Sequence, residues 1–550
     1  MKFYKFLLFV SVIVPILFFA LFFLYPVLAL VFRGFFDVKN GGFTFDYVIS
    51  TILSYDFLRS LWYTIFISFV ASTLSVFLGL PLAYVFYCLD FWGHKFWRCV
   101  LMIPFILPTA VVGVAFRMLF AENGYLGFLK LDGSVFAIII AMVFFNLCVA
   151  VRIIGTYWQG IDYRVVDVAR ALGANAFYAF RTVVLPALRP GIFSAFSVIF
   201  LFCATSFSVV LIMGGSSVST IETQIYILTT QFLDLKSASI FSLLQIFLVL
   251  FLVFFVGNFD SSMGFGQTIS GKNIIYKKLK SIDLFLIVLS FIVIILLIIL
   301  PISILVLRSF TRDNSFTFAN YVDLFKGDLP LFGGVNVFAT ICNSIVTALV
   351  SALISIFIGF CVAFVLSRRA SRAQKFHVKL TENFQRFFDF LFILPLGISS
   401  ATVGFGFLIT VNVLLFDTMW QWLLVPVAQA TVAIPLVVRA IVPIVKGIDD
   451  RQIDASRILG ANLWQCFKTV EWHYFLHALL GAYALALAVS FGEFGATSFL
   501  FRPDGVTLPV LVYSLISKPA MLYQGLASAS CVILTIVVSV LLLLAGRFSK

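Results

Sequence analysis

The most distinctive polar residues of this sequence lie in a segment that occurs twice. Residues 152–186 match residues 439–473 at a constant offset of 287 positions. In the first copy, Asp167 can cap a helix or complement its dipole, and Gly173 permits a sharp break between two helices. Each copy is long and mixed in charge, which predicts short helices in a loop rather than a simple turn. The identical pairs include Arg152/Arg439, Asp162/Asp449, Arg170/Arg457, Leu172/Leu459, Gly173/Gly460 and Asn175/Asn462.

A second set of candidates lies within apolar stretches, where ionisable residues are functional candidates by default. Glu493 lies in the run 490–497 with glycines on both sides, and the run 203–208 is its counterpart at the same offset. A buried carboxylate needs a partner, water or a cation, so Glu493 either lines a pathway or bonds to a neighbouring helix as structural glue. A proline removes one backbone hydrogen bond of its helix and leaves a carbonyl without its donor. That carbonyl faces either a cavity of the pathway or a neighbouring helix at a simple kink. The candidate pathway residues are Pro104, Pro108, Ser206, Phe207, Pro395, Gly492, Glu493 and Gly495.

The cysteines and histidines lack the spacings that metal and redox sites need. The eight cysteines are dispersed, without a CxxC pair or a Cys/His cluster, which is typical of small apolar core residues. The four histidines are interpreted as surface or interface residues. The sequence therefore predicts no catalytic residue, no metal site and no cofactor-binding site in this chain.

The composition indicates which elements must position these residues. Of the 550 residues, 62% are apolar or aromatic and only 11% are charged, with a mean hydropathy of +1.12. A soluble domain is about a quarter charged, and a disordered chain has low hydrophobicity. These values exclude both classes and predict an integral membrane protein with many helical spans.

Twelve continuous apolar windows are long enough to cross a bilayer as helices, whereas β-barrel strands would be short and alternating. The first window is too long for a signal-peptide core and is interpreted as the first span. The windows are 7–32, 60–88, 99–120, 134–157, 191–213, 238–257, 283–307, 338–366, 387–413, 422–445, 475–500 and 525–546.

The distribution of basic residues predicts the orientation of these spans. If the N-terminus is inside and the spans alternate, the inside segments hold 24 of the 37 Lys and Arg residues and the outside segments hold 11. An excess of basic residues marks cytoplasmic loops. Both termini are therefore expected in the cytoplasm, and the net charge of +13 requires no nucleic-acid partner.

The duplication divides the chain into two halves with six spans each, so both halves have the same orientation. Residues 1–257 form the first half, 258–282 a cytoplasmic linker and 283–550 the second half. The expected fold is all-α, with about twelve transmembrane helices in two homologous halves. The repeated loops are 158–190 and 446–474, and a pathway on the axis between the halves is expected.

The repeated loops resemble the EAA motif of ABC importer permeases. In the first copy, Asp167-Val168-Ala169 is followed by Gly173 and then by Val183-x-Leu185-Pro186. The second copy, Asp454-Ala455-Ser456 followed by Gly460, is similar but ends in Trp472-His473. With two copies in a duplicated chain, the sequence as a whole resembles the fused permeases of the thiamine and ferric-iron importers.

This resemblance implies a multi-pass protein of the bacterial inner membrane that is not itself an enzyme. Two ATP-binding cassette subunits would dock on the loops, bind ATP and Mg, and drive alternating access. A periplasmic or lipid-anchored binding protein would deliver a small solute. The ATPase-coupling residues would be Asp167, Ala169, Gly173, Leu185, Pro186, Asp454, Ala455 and Gly460.

The choice of substrate and mechanism leaves alternatives open. Runs near 205–226 and 490–495 look like the thiamine-type permeases, so thiamine or a thiamine derivative is favoured over ferric iron. An ATP-independent secondary transporter also fits twelve spans, but it would not need the two loops. The run 266–273 nearly spells a phosphate-binding loop, yet it ends in Asn and follows a span rather than a strand. ATP hydrolysis is therefore expected from partners.

Overall fold

The computed structural model describes most of the chain. The linker run 266–273 and the remainder of 263–280 lie outside the described residues. The described residues are 2–37, 42–43, 45–122, 124–215, 217–262, 281–312, 315–326, 334, 336–366, 382–411, 421–502, 505–518 and 520–548.

The described residues are almost all helical. The helices of the first half are α1 (Lys2–Phe19), α2 (Tyr25–Phe35), α3 (Asp46–Ile52), α4 (Tyr55–Cys88), α5 (His94–Ile106), α6 (Thr109–Phe120), α7 (Val135–Gln159), α8 (Tyr163–Ala171), α9 (Ala176–Ala179), α10 (Leu185–Ala204), α11 (Ser208–Gly214), α12 (Ile221–Thr230) and α13 (Leu235–Ser262). Those of the second half are α14 (Ser281–Val293), α15 (Leu300–Ser309), α16 (Ala319–Lys326), α17 (Val337–Leu366), α18 (Glu382–Ile393), α19 (Ser400–Val411), α20 (Leu424–Lys446), α21 (Asp450–Ile458), α22 (Leu463–Cys466), α23 (Trp472–Gly492), α24 (Thr497–Leu500), α25 (Leu508–Ile516) and α26 (Met521–Phe548).

A small hairpin follows the first span of each half. Strand β1 (Phe36–Asp37) pairs antiparallel with β2 (Gly42–Phe43), and β3 (Thr311–Arg312) pairs antiparallel with β4 (Ser315–Phe316). The paired residues Phe43 and Phe316 belong to the Phe-Thr-Phe runs that occur in both halves of the sequence. The repeat therefore extends to these turns.

The helices that cross the membrane differ in number from the apolar windows. Among the described residues, ten helices are long and apolar enough to span a bilayer. The third window is a pair of helices, α5 and α6, bent by 96° at Leu107–Pro108, which counts as an eleventh span if it is one crossing. The ninth window is likewise divided, into α18, a 3-10 turn at Leu394–Gly397, and α19. The all-α membrane fold is confirmed, and the breaks explain the lower count of continuous helices.

Among the residues that the structure describes, four π-helical segments lie inside spans, at Ala20–Leu24, Phe180–Val184, Ile294–Ile299 and Phe467–Glu471. Three of them precede a proline at the second residue of the next helix: Pro26, Pro186 and Pro301. Proline has no N–H for the usual backbone bond, and a wider turn accommodates it. Leu185-Pro186 therefore does not end the helix, because one helical span runs from Ala176 to Ala204.

The core of each half is the same three-helix group. In the first half, α4 packs against α7 and α10, and in the second half α17 packs against α20 and α23. Glycines allow the backbones to approach closely: a Cβ on Gly79 would lie 2.7 Å from the Cβ of Ala150, and one on Gly359 would collide with Val437. Small residues are the usual means of close helix packing in membranes.

The first span of each half packs against the opposite half. Helix α1 packs on α17 and α2 on α19, while α14 packs on α4 and α15 on α6. Phe19 lies edge-on to Phe392 with ring centroids 5.9 Å apart, and Phe291 meets Phe86 at 6.2 Å. The two halves are therefore interlocked, and each apolar core is completed by a helix from the other.

Candidate functional site: two polar loops and an aromatic seam

The first repeated loop begins with a capped helix. Asp162, not Asp167, is the N-cap of α8, and its carboxylate accepts from the backbone N–H of Arg164 at 3.0 Å. Asp167 lies in the interior of α8 and is exposed, so the expected capping role was wrong. Tyr163 anchors the start of the helix, and burial raises the pKa of its hydroxyl.

Gly173 ends α8 in the left-handed conformation, with φ at +95°. The backbone N–H of Ala174 donates to the carbonyl of Ala169 at 3.1 Å, which closes the helix end. The sharp break expected at this glycine is therefore present. Asn175 then starts the next short helix, since its side chain accepts from the N–H of Tyr178 at 2.7 Å.

The second loop has the same construction. Asp449 accepts from the N–H of Arg451 at 2.9 Å and starts α21, which contains Asp454 and Ala455. Gly460 has φ at +87° and ends the helix. Asn462 and Gln465 exchange two bonds of 2.9 Å, forming a capping box for α22.

The exits of the two loops are also alike, although their sequences differ there. A π-helical segment leads to Leu185-Pro186 in the first copy and to Trp472-His473 in the second. Leu185 and Pro186 are half-buried at the start of α10. Loss of the Leu-Pro pair therefore leaves the helical geometry of the second exit unchanged.

Each loop exposes large apolar side chains at equivalent positions. Leu172 and Leu459 are related by the offset of 287 and are 83% and 87% exposed. Phe177 and Trp464 are also an equivalent pair, and both are exposed. Exposed groups of large apolar side chains are typical of binding surfaces. We call these four residues the loop docking faces.

The seam between the halves is formed where α10 and α23 stop. Phe207 and Phe494, which are equivalent at the offset of 287, stack with centroids 5.6 Å apart and ring planes at 19°. Tyr226 and Tyr513, also equivalent, meet edge-on at 6.2 Å. Phe499 packs against Tyr226 at 5.4 Å. These five residues form the axial aromatic cluster, and Phe207 and Phe494 are almost fully buried.

Several of the expected pathway residues meet at this seam. Pro108 caps α6 and packs against Gly492, where an added Cβ would lie 3.3 Å from the Cβ of Pro108. Gly495 lies so close to Ser400 that any Cβ would collide with the hydroxyl. Ser206 is half-buried beside Phe207.

The other two prolines lie elsewhere. Pro395 is buried in the 3-10 turn at Leu394–Gly397, next to α13 and α20. Pro104 lies inside α5, which packs mainly on α7 of its own half. Pro395 therefore lies in the turn between α18 and α19, whereas Pro104 lies within a helix.

Glu493 caps a backbone break within its own segment. Its carboxylate accepts from the N–H groups of Ala496 at 2.8 Å and Thr497 at 3.1 Å, and it also interacts with the Ser400 hydroxyl. These bonds satisfy N–H donors at the start of α24. The side chain is 6% exposed and lies one residue before the stacked Phe494.

A second buried carboxylate, Glu222, was missed by the sequence reasoning. It has no exposed surface, and its oxygens accept from Gln245 Nε2 at 2.8 Å and from the hydroxyl of Ser399 in the other half. Glu222 lies outside the long apolar windows, because α12 is a short helix between two of them. The repeated Tyr226, four residues further on, was the signal that could have found it.

Comparisons with known proteins agree with the duplicated architecture. Residues 75–264 and 372–549 match the model of the family described as "binding-protein-dependent transport system inner membrane component". A solved bacterial ABC transporter involved in import of the acidic polysaccharide alginate is similar at 16% identity and a TM-score of 0.40, over 48% of this chain and 100% of that chain.

Curated relatives include permeases for two kinds of solute. The thiamine transport system permease ThiP of Haemophilus influenzae is 25% identical, covering 86% of this chain and 84% of that protein. ThiP of Brucella abortus is 24% identical over 82% and 80%. The sulfate permease CysT of Salmonella typhimurium is 28% identical over 36% of this chain and 76% of that protein. The two family matches cover more than half of the chain, which is therefore a member of the binding-protein-dependent inner membrane permeases of ABC importers, with two copies of the family domain in one polypeptide.

Proposed function

We propose that this permease moves thiamine or a close thiamine derivative from a binding protein into the cytoplasm. The observation that carries the proposal is the extent of similarity, because the thiamine permeases align with both halves of this chain. The sulfate permease of Salmonella typhimurium aligns with about a third of it. Thiamine is cationic and aromatic, so it suits a seam that contains aromatic rings and two carboxylates.

Two ATP-hydrolysing subunits would dock on the loop docking faces. The two faces present the same pair of side-chain types, an exposed leucine and an exposed aromatic ring, at equivalent positions. Burial of such groups against a partner stabilises a complex by about 1.5–3 kcal/mol for each large side chain. The partners would bind ATP and Mg, and Asp167, Ala169, Asp454 and Ala455 would lie in the helices that they engage.

The seam would act as the gate of the pathway. The axial aromatic cluster joins equivalent residues of the two halves, so a rotation of the halves would part Phe207 from Phe494. Closure of the ATPase subunits would drive this rotation, as expected for rigid-body alternation between two states. Pro108, Ser206, Gly492, Glu493 and Gly495 would then border the opened path.

Reconstitution with the cognate ATPase and binding protein tests the proposal. Proteoliposomes that contain all components should accumulate labelled thiamine when ATP is inside and the binding protein outside. Ferric iron, sulfate and thiamine are compared at equal binding-protein saturation. Uptake of ferric iron or sulfate without thiamine would overturn the substrate assignment, and uptake without ATP would overturn the coupling.

A further inference from the structure

Glu222 lies in a polar contact that joins the two halves. It belongs to α12 of the first half, which packs on α19 of the second half. One carboxylate oxygen accepts from Gln245 Nε2 at 2.8 Å, and the other accepts from the Ser399 hydroxyl. Since Ser399 comes from the opposite half, separation of the halves removes that partner and uncovers the carboxylate.

The charge of Glu222 has no basic partner within the described parts of the chain. The only ion pairs found there are His94–Asp90 and Arg312–Asp323, and neither involves Glu222. Arg117 interacts electrostatically with Tyr513 of the axial aromatic cluster, and its guanidinium donates to the carbonyl of Ile212 at 3.2 Å. Burying a carboxylate without a cation is costly, so a cation that reached Glu222 after separation of the halves would be stabilised there.

Gln245 gives a second and independent sign of an incomplete site. Its amide nitrogen donates both to Glu222 and to the carbonyl of Ala204 at 3.1 Å, which fixes the orientation of the amide. Gln245 is 1% exposed, and its Oε1 has no hydrogen-bond donor among the described residues. Buried acceptors are normally satisfied. The site therefore lacks a donor as well as a positive charge.

This polar site borders the axial aromatic cluster. Glu222 precedes Tyr226 by four residues, so both side chains lie on the same face of α12. Tyr226 in turn contacts Phe207 at 5.5 Å. A cationic ring that reached Glu222 would also lie against aromatic faces, which attract cations.

The site occurs in only one half. The position equivalent to Glu222 at the offset of 287 is Pro509, which has neither a charge nor a side-chain acceptor. Gln245 likewise has Val532 at the equivalent position, so the pair of Glu222 and Gln245 is not repeated in the second half. A solute held by this pair would bind once per molecule.

We infer that Glu222 binds the cationic part of the transported solute, and Gln245 Oε1 accepts from a hydrogen-bond donor of the same solute, once Ser399 withdraws. This inference rests on the proposed function and names the residues that recognise the solute within the membrane. Thiamine has a cationic thiazolium ring and, on a second ring, an amino group with N–H donors, which suit a carboxylate beside an amide oxygen. A dianion such as sulfate would be repelled by the same carboxylate.

The test uses the full complex with ATPase and binding protein, and Glu222→Gln and Glu222→Asp variants. Glu222→Gln removes the charge and keeps the size. It should lower thiamine imported per ATP hydrolysed about tenfold, the usual effect of losing a charge-assisted bond. ATP hydrolysis stimulated by the binding protein should stay within about twofold of wild type, and Glu222→Asp should restore part of the import.

A matched control is Asp283→Asn, which removes another buried acid in a membrane helix, where it accepts from Tyr84 at 3.1 Å. It should leave import per ATP unchanged. Equal import per ATP by Glu222→Gln and wild type would overturn the inference. Raised ATP hydrolysis by Glu222→Gln in the absence of binding protein would also overturn it, because that increase would show that Glu222 only holds the seam closed.

The same vesicles separate this inference from the proposed function. Choline and sulfate are offered alongside thiamine, and the amount of assembled complex is measured for each variant. If wild type imports choline but not thiamine, the thiamine proposal fails, and a loss of choline import in Glu222→Gln still supports the inference. If wild type imports only sulfate, both fail.

Discussion

Phe207 and Phe494 stand at equivalent positions of the two halves and stack directly on each other. Each ring is almost fully buried, at 3% and 1% exposure. At the depth of these two rings, the seam is filled by side chains from both halves. If the halves rotate as proposed, this contact must break before a solute can pass.

Truncation of either ring should make the closed seam leaky. Phe207→Ala or Phe494→Ala leaves a cavity that costs the closed arrangement about 3–5 kcal/mol. We expect faster passive efflux of thiamine from loaded proteoliposomes without ATP, and higher ATP hydrolysis without binding protein. Efflux rates of the single and double variants measure this directly.

Phe144→Ala is the matched control for these variants. Phe144 is equally buried and contacts Phe116 at 5.3 Å, within the first half and away from the seam. It should lower the melting temperature without a leak. If all three variants leak equally, the seam is not the barrier.

The two buried glutamates, Glu493 and Glu222, accept hydrogen bonds from different kinds of donor. Glu493 accepts from backbone N–H groups of its own segment, so it stabilises a break in the helix. Glu222 accepts from side chains, one of them in the other half. Only the second arrangement would change if the halves moved as proposed.

At the scale of elements, the repeated loops depend on their glycines. Gly173 and Gly460 hold positive φ angles, where a side chain is strained by about 1 kcal/mol or more. Gly173→Ala and Gly460→Ala should misplace the loops and reduce co-purification of the ATPase. Pull-down of the ATPase with tagged permease measures the effect.

Gly481→Ala is the control for the glycine variants. Gly481 lies within α23, and an added Cβ would meet no other atom within 4 Å. This variant should bind the ATPase as wild type does. Normal ATPase binding by Gly173→Ala and Gly460→Ala together would contradict the role of the loop turns.

The loop docking faces should contribute most of the apolar contact with the ATPase. Leu172→Asp and Leu459→Asp each replace an exposed leucine by a charge. Each should weaken ATPase binding at least about tenfold, since burial of a leucine is worth about 1.5 kcal/mol or more. Titration of the purified ATPase against nanodisc-embedded permease gives the affinities.

Val165→Asp is a useful comparison, because Val165 is exposed on α8 but has the polar Gln452 at the equivalent position. Its effect should be smaller than that of Leu172→Asp. If the two leucine variants kept their ATPase affinity but lost binding to anionic vesicles, the loops would instead be assigned to the lipid surface.

At the scale of the whole molecule, the interlocked first spans should hold the halves together without the linker. Two separate chains, 1–270 and 271–550, should co-purify when expressed together, because α1 packs on α17 and α14 packs on α4. Affinity purification through a tag on one chain measures this. Recovery of the tagged chain alone would contradict the exchange of first spans.

The excess of basic residues predicts the orientation of the molecule, and reporters test this prediction. Both termini and both repeated loops should lie in the cytoplasm, while the hairpins β1–β2 and β3–β4 should be periplasmic. Cysteines introduced at Leu172 and Phe316, both exposed, should react with an impermeant thiol reagent from opposite sides. Labelling of Leu172→Cys in intact cells would reverse the assignment. The native cysteines are replaced first, since Cys99 and Cys342 are exposed.

The sequence by itself determined the membrane class, the duplication and the two loops. Apolar windows report where a chain can enter lipid, and a repeat at constant offset reports that two segments share a fold. Gly173 and Gly460 were recognisable because positive φ angles favour glycine. The capping role expected of Asp167 was wrong, because whether Asp162 or Asp167 caps the helix depends on where the helix begins.

Only the tertiary structure decided what meets at the seam. Phe207 touches Phe494 and Glu222 touches Ser399 across long separations in the chain, and no local pattern encodes such a contact. The exchange of first spans is likewise invisible to hydropathy, since α1 would be equally apolar against either half or against lipid. Periodicity and composition record how a segment meets its surroundings, whereas the identity of its neighbour is fixed by the packing of the whole chain.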